Sequence, residues 1–250
     1  MTLELANFIQ PDWPAPGTVR AASTTRAGGV SAAPYDSLNL GDHVGDDPRA
    51  VAENRARVRQ ALQLPAEPRW LQQVHGTLAV DGAAVMPGQA DAVYTHQAGV
   101  VCAVLTADCL PVLLCDRAGT RIAAVHAGWR GLANGVIEST VDAFGGAGED
   151  VLAWLGPAIG PRAFEVGADV RAEFLAHDAT TATAFQPSAQ GHFLADIYTL
   201  ARKRLASRGV TAVYGGGECT ASDSARFYSY RRDGVTGRMA TLIWIVDGRP

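Results

Sequence analysis

Three apolar segments follow one another between residues 100 and 126, VVCAVLT, PVLLCD and RIAAVH, and the turn residues RAG lie between the second and third. Short apolar runs bounded by turn-forming residues read as β-strands. If the second and third form a hairpin about RAG, paired residues carry numbers summing to about 235 to 237. That sum sets Cys109 opposite His126 or its immediate neighbour, and directly opposed Cβ atoms lie about 4.5 to 5.5 Å apart. A slip of one residue would turn one of the two side chains away. Both residues fall where strand meets loop, in TADC and HAGWRG, which places them at one rim of a sheet.

The rest of the chain supplies helices and further strands. Asp47 is positioned to cap a helix that starts at Pro48 and runs to about Leu64, where Pro65 stops it. Residues 131 to 144 read as one helix with Leu132, Val136, Ile137, Val141 and Phe144 on one face. A third helix, 196 to 208, has Asp196 as its cap and Gly209 at its end. RWLQQVHGTLAV reads as another strand-like segment in which His75 precedes a glycine, and VTAVYGG and ATLIWIV close the chain as strands. Residues 24 to 48, rich in Gly, Ser, Asn, Asp and Pro, predict a long ordered loop. Strands this numerous, irregularly interleaved with helices, point to an α+β sandwich with mixed sheets rather than a doubly wound fold. With no linker or repeat in its 250 residues, the chain is expected to form a single domain over 1–250.

Composition narrows the function. At 48% hydrophobic and 18% charged residues the chain reads as an ordinary globular protein. No apolar run approaches the roughly 20 residues of a membrane helix. The start MTLELANFIQPDWPAPG has no basic region followed by an apolar one, so a cytoplasmic location without membrane contact is expected. A net charge of -4 argues against nucleic acid as a partner. Lys203 is the sole lysine, which removes the usual residue of Schiff-base and P-loop chemistry. The four cysteines show no CxxC spacing, and most are expected to be buried as small hydrophobes.

His75, Cys109 and His126 together make the open three-ligand set that catalytic zinc uses, with a fourth position left for water or substrate. Zinc would keep Cys109 deprotonated and acidify a bound water. Other readings stand beside this one. Spacings of 34 and 17 residues match no short zinc motif. Each histidine after an apolar strand can be a hydrogen-bonded core or surface residue, and Cys109 with His126 can form a thiolate–imidazole nucleophile.

The ordered combination of TTRAGGVSAAPYDSLNLGDHVGDD, WLQQVHG, QADAVYT, TADCLPVLL, AAVHAGWRGLANGVIE, LGPAIGP and FYSYRRDGVTGRMATLIWI spans nearly the whole chain. It resembles the YfiH-type family of purine nucleoside phosphorylases, also labelled polyphenol oxidases or laccase-domain proteins. The resemblance implies a four-layer α-β-β-α sandwich and a zinc ion held by His75, Cys109 and His126. It also implies phosphorolysis of adenosine, inosine, guanosine and methylthioadenosine, with adenosine deamination at the same site. The partners are then purine nucleosides and phosphate, and no protein partner is implied. GPAIGPRAFEVG departs from the family in carrying Arg162 and Ala163 where many members have cysteine. The zinc set is untouched by that change.

Deamination needs an activated water and a carboxylate to move its proton, for which Asp91, Asp108 and Glu165 are candidates; each can equally be a cap or turn residue. With Cys109, Asp108 is the expected catalytic pair. Phosphorolysis needs positive charge around phosphate. Arg26, Arg130, Arg231, Arg232 and Arg238 lie in Gly-rich or turn-like elements, and Arg130 and Arg231 are taken as substrate-binding, Arg130 because it opens a helix. Asn39 and His43 are placed on base or ribose, unless they bond the loop to itself. Trp129 and Tyr228 can stack on a purine or belong to the core. Three other classes stay open: a copper-dependent polyphenol oxidase, an amidase or hydrolase using Cys109 on a cell-wall precursor, and a protein whose zinc is structural.

Overall fold

The computed structural model describes residues 3–84 and 88–246. In chain order the strands and α-helices are β1 (Phe8–Ile9), β2 (Val19–Thr24), α1 (Pro48–Ala61), β3 (Ala79–Asp81), β4 (Ala92–Thr95), β5 (Val101–Thr106), β6 (Leu110–Asp116), β7 (Ile122–Ala127), α2 (Trp129–Asn134) and α3 (Val136–Phe144). They continue with β8 (Val151–Leu155), β9 (Glu165–Val166), α4 (Ala168–His177), β10 (Phe185–Pro187), β11 (Phe193–Ala195), α5 (Ile197–Ala206), β12 (Ala212–Gly215), α6 (Tyr230–Asp233) and β13 (Met239–Ile245).

Two sheets dominate. One has six strands in the order β12-β8-β6-β7-β4-β3, and the other has four in the order β1-β2-β13-β5. The six-stranded sheet is mixed, with β12 and β8 and again β3 and β4 parallel, whereas the four-stranded sheet is antiparallel throughout. A small sheet, β10-β11-β9, stands apart from both.

Strand alternation explains the layering. Because successive side chains leave opposite faces of a strand, Leu110, Val112 and Leu114 of β6 and Ala123 and Val125 of β7 pack against Leu132, Ile137, Phe144, Phe174 and Leu200 of the helices. Their neighbours in the chain, Leu113 and Cys115 of β6 and Ile122 and Ala124 of β7, meet Cys102 and Val104 of β5 and Ile243 of β13 between the sheets. The other face of the four-stranded sheet, with Ala103, Leu242 and Trp244, is covered by Val58 of α1 and by Leu38 and Leu40 of the long loop. The result is the four-layer α-β-β-α sandwich with mixed sheets.

Local signals hold at several ends. Asp47 accepts from the Arg49 amide and Asp196 from the amides of Tyr198 and Thr199, so both cap their helices. Residues 25–47 form a loop tied by its own hydrogen bonds, among them Ser31 to Asp46 and Asn39 to Asp46, and by Asn54 of α1, which donates to Asn39 O. Three expectations need correction. The helix over 131–144 is two helices broken at Gly135, whose φ of 96° is left-handed. RWLQQVHGTLAV is not a regular strand: it makes isolated bridges at Arg69 and Gln72, and β3 begins only at Ala79. In the β6–β7 hairpin His126 pairs with Pro111, so Cys109 lies one residue before the strand, facing Gly128 in the continued register.

Candidate metal centre

β7 carries His126 on the row of Ile122 and Ala124, which faces the space between the two large sheets. Cys109, just ahead of β6, has the parity of Leu113 and approaches the same end of that space. His75 arrives from the opposite side on a turn with a left-handed φ of 60°. The ligand atoms of the three side chains lie within 4.8 Å of one another, and Cys109 Sγ and His75 Nε2 are 3.7 Å apart. The imidazoles meet edge to face with centroids 4.8 Å apart. His126 is buried, Cys109 half-buried and His75 exposed, so the cluster opens to solvent on the His75 side.

Asp91, immediately before β4 and fully buried, positions two of the three. Its carboxylate accepts the amides of Val74 at 3.2 Å, His75 at 2.9 Å and Gly76 at 2.7 Å, which fixes the left-handed turn. The same carboxylate lies 2.8 Å from His126 Nδ1 and so leaves Nε2 as the free edge of that ring. A carboxylate behind a histidine in this way sets the tautomer and orientation that a metal requires. Burial pushes the Asp91 carboxyl up, but the bond and charge of His126 with the Gly76 and Val74 amides hold it below the usual range.

The donor set fits zinc. Tetrahedral zinc with Zn–S of about 2.3 Å and Zn–N of about 2.0–2.1 Å separates sulfur from nitrogen by about 3.5 Å, close to the 3.7 Å observed. The charges are those of a thiolate–imidazole pair, in which a zinc ion would displace the ring proton. Burial raises the Cys109 thiol, yet the charge and hydrogen bond of His126, with His75, bring it down to about 6. Burial opposes protonation of His126, whereas Cys109 and Asp91 raise it to about 9. The pocket therefore favours a thiolate beside positive charge. Gly128 is part of the build: a Cβ there would stand 2.6 Å from His75 Cδ2 and 3.1 Å from Cys109 Sγ. HAGWRG places that glycine in the sequence, but nothing local shows which side chains it admits.

Asp108 is next to the cluster and has φ of 88°. Its carboxylate accepts from the hydroxyls of Thr220 at 2.6 Å and Ser229 at 3.0 Å and from the Arg231 amide at 2.6 Å. Its oxygens thus tie the segment 220–231 to the strand end that carries Cys109. Thr220 and Ser229 were invisible as site residues in the sequence, because their partner lies more than a hundred positions away.

Other expected contacts are used elsewhere. Asn39 is fully buried and bonds Gly41, Asp46 and the Arg238 amide, and so ties its loop. His43 is exposed, with Nδ1 3.5 Å from its neighbour Asp42. The exposed Arg231 guanidinium donates from Nη1 to the Glu165 carbonyl at 2.9 Å. Arg130 is exposed over the Trp129 ring, Arg26 engages Asp36, and Arg232 bonds Phe227 O and Asp233. Tyr228 is core, and Glu165 accepts from Ser188. Cys102 and Cys115 are buried, and burial raises both thiols, that of Cys115 to about 12.

Residues 20–246 match the family model described as multi-copper polyphenol oxidoreductase laccase. The purine nucleoside phosphorylase of Pseudomonas aeruginosa is 60% identical over 241 residues, 96% of this chain and 99% of that protein. Purine nucleoside phosphorylase YfiH of Escherichia coli (strain K12) is 55% identical over 97% of this chain and 100% of its own length. A crystal structure of a Neisseria meningitidis protein superposes with a TM-score of 0.93 at 52% identity, covering 96% of this chain and 100% of that one.

Proposed function

The chain belongs to the laccase-domain family matched over residues 20–246, whose relatives include the YfiH purine nucleoside phosphorylases, and from that premise we propose that it is a zinc-dependent purine nucleoside phosphorylase. The observation that carries the proposal is the Asp91-braced cluster of His75, Cys109 and His126, opening to solvent at a sheet rim. Phosphate and a purine nucleoside such as adenosine, inosine, guanosine or methylthioadenosine are the substrates, and the free base with ribose 1-phosphate the products. Adenosine deamination, in which water replaces ammonia to give inosine, belongs to the same site. The functional unit is the single domain 1–250, acting in the cytoplasm; among the described residues no helix is long and apolar enough to cross a membrane.

Zinc, when bound, supplies a Lewis acid that polarises a group brought into contact with it. His75, Cys109 and His126 hold it, and three protein ligands rather than four suit a site that leaves a position for substrate. Asp91 orients the two imidazoles, and Asp108 acts by holding the segment 220–231 against Cys109. Arg130, exposed over Trp129, remains a substrate-facing cation at the rim. Among the described residues this is the one group of three or more His, Cys, Asp or Glu side chains that can hold a metal.

The test is direct. Zinc-loaded protein is incubated with adenosine, with and without phosphate, beside Cys109→Ala, and products are identified by chromatography and mass spectrometry. The expected result is adenine with ribose 1-phosphate only when phosphate is present, and inosine irrespective of phosphate, both lost in the variant. Absence of phosphate-dependent base release from the wild-type protein overturns the phosphorylase reading, and amide or ester substrates for Cys109 are then the next assay.

A further inference from the structure

Five arginines lie in turn-like elements of the chain, and they differ in burial and in what their guanidinium groups meet. Arg26 is paired with Asp36, Arg231 reaches the Glu165 carbonyl, Arg232 is paired with Asp233, and Arg130 lies exposed on Trp129. Arg238 differs. It stands one residue before β13, and since Met239 pairs with Thr106, continued register sets it beside Ala107, the residue that leads into Asp108 and Cys109. Its backbone is anchored by Asn39 Oδ1, which accepts the Arg238 amide at 2.9 Å and the Gly41 amide at 3.0 Å. Its stem crosses Gly41 so closely that a Cβ there would lie 2.8 Å from Arg238 Cγ.

The guanidinium is held at one end only. Nη1 donates to the carbonyls of Thr236 at 3.0 Å and Gly237 at 3.1 Å, while Nε and Nη2 have no acceptor among the described residues. Those two nitrogens form the edge of the guanidinium that grips an oxyanion with two parallel hydrogen bonds. Burial disfavours the charge of Arg238, and the ionisable groups that most strongly support it are Cys109 and Asp108. The Asp108 oxygens are engaged by three uncharged donors, and among the described residues Asp108 forms no ion pair with Arg238. A half-buried cation with a free bidentate edge and no carboxylate partner, set by register beside the residue that leads into Asp108 and Cys109, offers a receptor for an anion.

We infer that Arg238 binds the phosphate co-substrate and holds it beside the His75–Cys109–His126 cluster. The inference rests on the phosphorylase reading above. In the step it serves, a phosphate oxygen forms a bond to C1′ as the C1′–N9 bond breaks. The electron pair of that bond leaves with the purine, which takes up a proton from water, and ribose 1-phosphate remains. Arg238 neutralises the phosphate charge and fixes the attacking oxygen, so its loss is felt in phosphate rather than in nucleoside.

Wild type, Arg238→Met and Arg238→Lys are compared in steady-state phosphorolysis of inosine, varying phosphate and nucleoside separately. Zinc content and circular dichroism are recorded alongside. The expected result is at least a tenfold rise in KM for phosphate in Arg238→Met, a KM for inosine within about twofold of wild type, unchanged zinc, and partial recovery in Arg238→Lys, which keeps the charge without the fork. A phosphate KM within twofold of wild type in both variants overturns the assignment. A parallel measurement needs no turnover: inorganic phosphate is titrated against each protein and the shift in melting temperature read. The shift is expected in wild type and lost in Arg238→Met; an equal shift in both, or none in wild type, overturns the assignment. Failure of wild type to consume phosphate, with the Arg238-dependent shift intact, overturns the phosphorylase reading and leaves Arg238 as an oxyanion site. If Arg238→Met does not fold, Arg238→Lys carries both readouts.

Discussion

Asp91 does the work of two residues at the candidate metal centre, fixing the backbone of His75 and the ring of His126 with one carboxylate. Removing its charge while keeping its shape isolates that role. Asp91→Asn is expected to weaken zinc binding by about 10- to 100-fold, the usual effect of losing the partner behind a ligand; competition with a chromophoric chelator measures it, and unchanged affinity would separate Asp91 from the centre. Gly128 offers a complementary test through space rather than charge. A methyl at 128 would overlap His75 Cδ2 at 2.6 Å, so Gly128→Ala is expected to displace His75 and lose zinc and turnover while the far-ultraviolet spectrum is kept. Full zinc content in Gly128→Ala would show that His75 moves freely aside. At this scale the sequence was informative about residue types and weak about partners. His75, Cys109 and His126 stand out as soft ligands at element ends, but the use of Asn39 inside its loop and of Arg231 on the Glu165 carbonyl depends on contacts across the fold.

The β6–β7 hairpin pairs His126 with Pro111 and so brings Cys109 and His126 to one end of the sheet, and its turn is secured by Asp116. That carboxylate accepts the amides of Thr120 at 2.7 Å and Arg121 at 3.0 Å and the Thr120 hydroxyl at 2.7 Å. Burial pushes the Asp116 carboxyl up, but these bonds and the charge of Arg121 hold it below its ordinary value. A depressed carboxylate contributes stability that is fully present above its unfolded pKa of about 3.9 and is lost as pH falls through the folded value. Asp116→Asn is therefore expected to cost about 1–3 kcal/mol at pH 7, with a smaller difference from wild type below about pH 3.9. Urea unfolding at pH 7 and at pH 3 reads both, and a pH-independent difference would mean that the charge is irrelevant. Elements also show why periodicity misled at α2 and α3. Leu132, Val136, Ile137, Val141 and Phe144 all reach the same core, so one left-handed glycine between them leaves no trace in the apolar spacing.

The whole molecule is held by the layer between the large sheets, where Leu113, Ile122, Cys102, Val104 and Ile243 meet with little or no exposure. Leu113→Ala opens a cavity in that layer and is expected to cost about 2–5 kcal/mol, read as a lower midpoint in urea with an unchanged slope; a cost within experimental error would mean that the sheets close over the gap. Strand alternation, the caps at Asp47 and Asp196, and the placing of Cys109 and His126 at strand ends were determined by the sequence itself, because each is a short-range property of backbone geometry and side-chain type. Tertiary structure alone decided that His75 sits on a left-handed turn gripped by Asp91, that Thr220 and Ser229 bond Asp108, and that Arg238 donates from Nη1 to the Thr236 and Gly237 carbonyls. Those outcomes rest on hydrogen bonds and close approaches between residues brought together only when the sheets stack, and no local pattern of the chain encodes them.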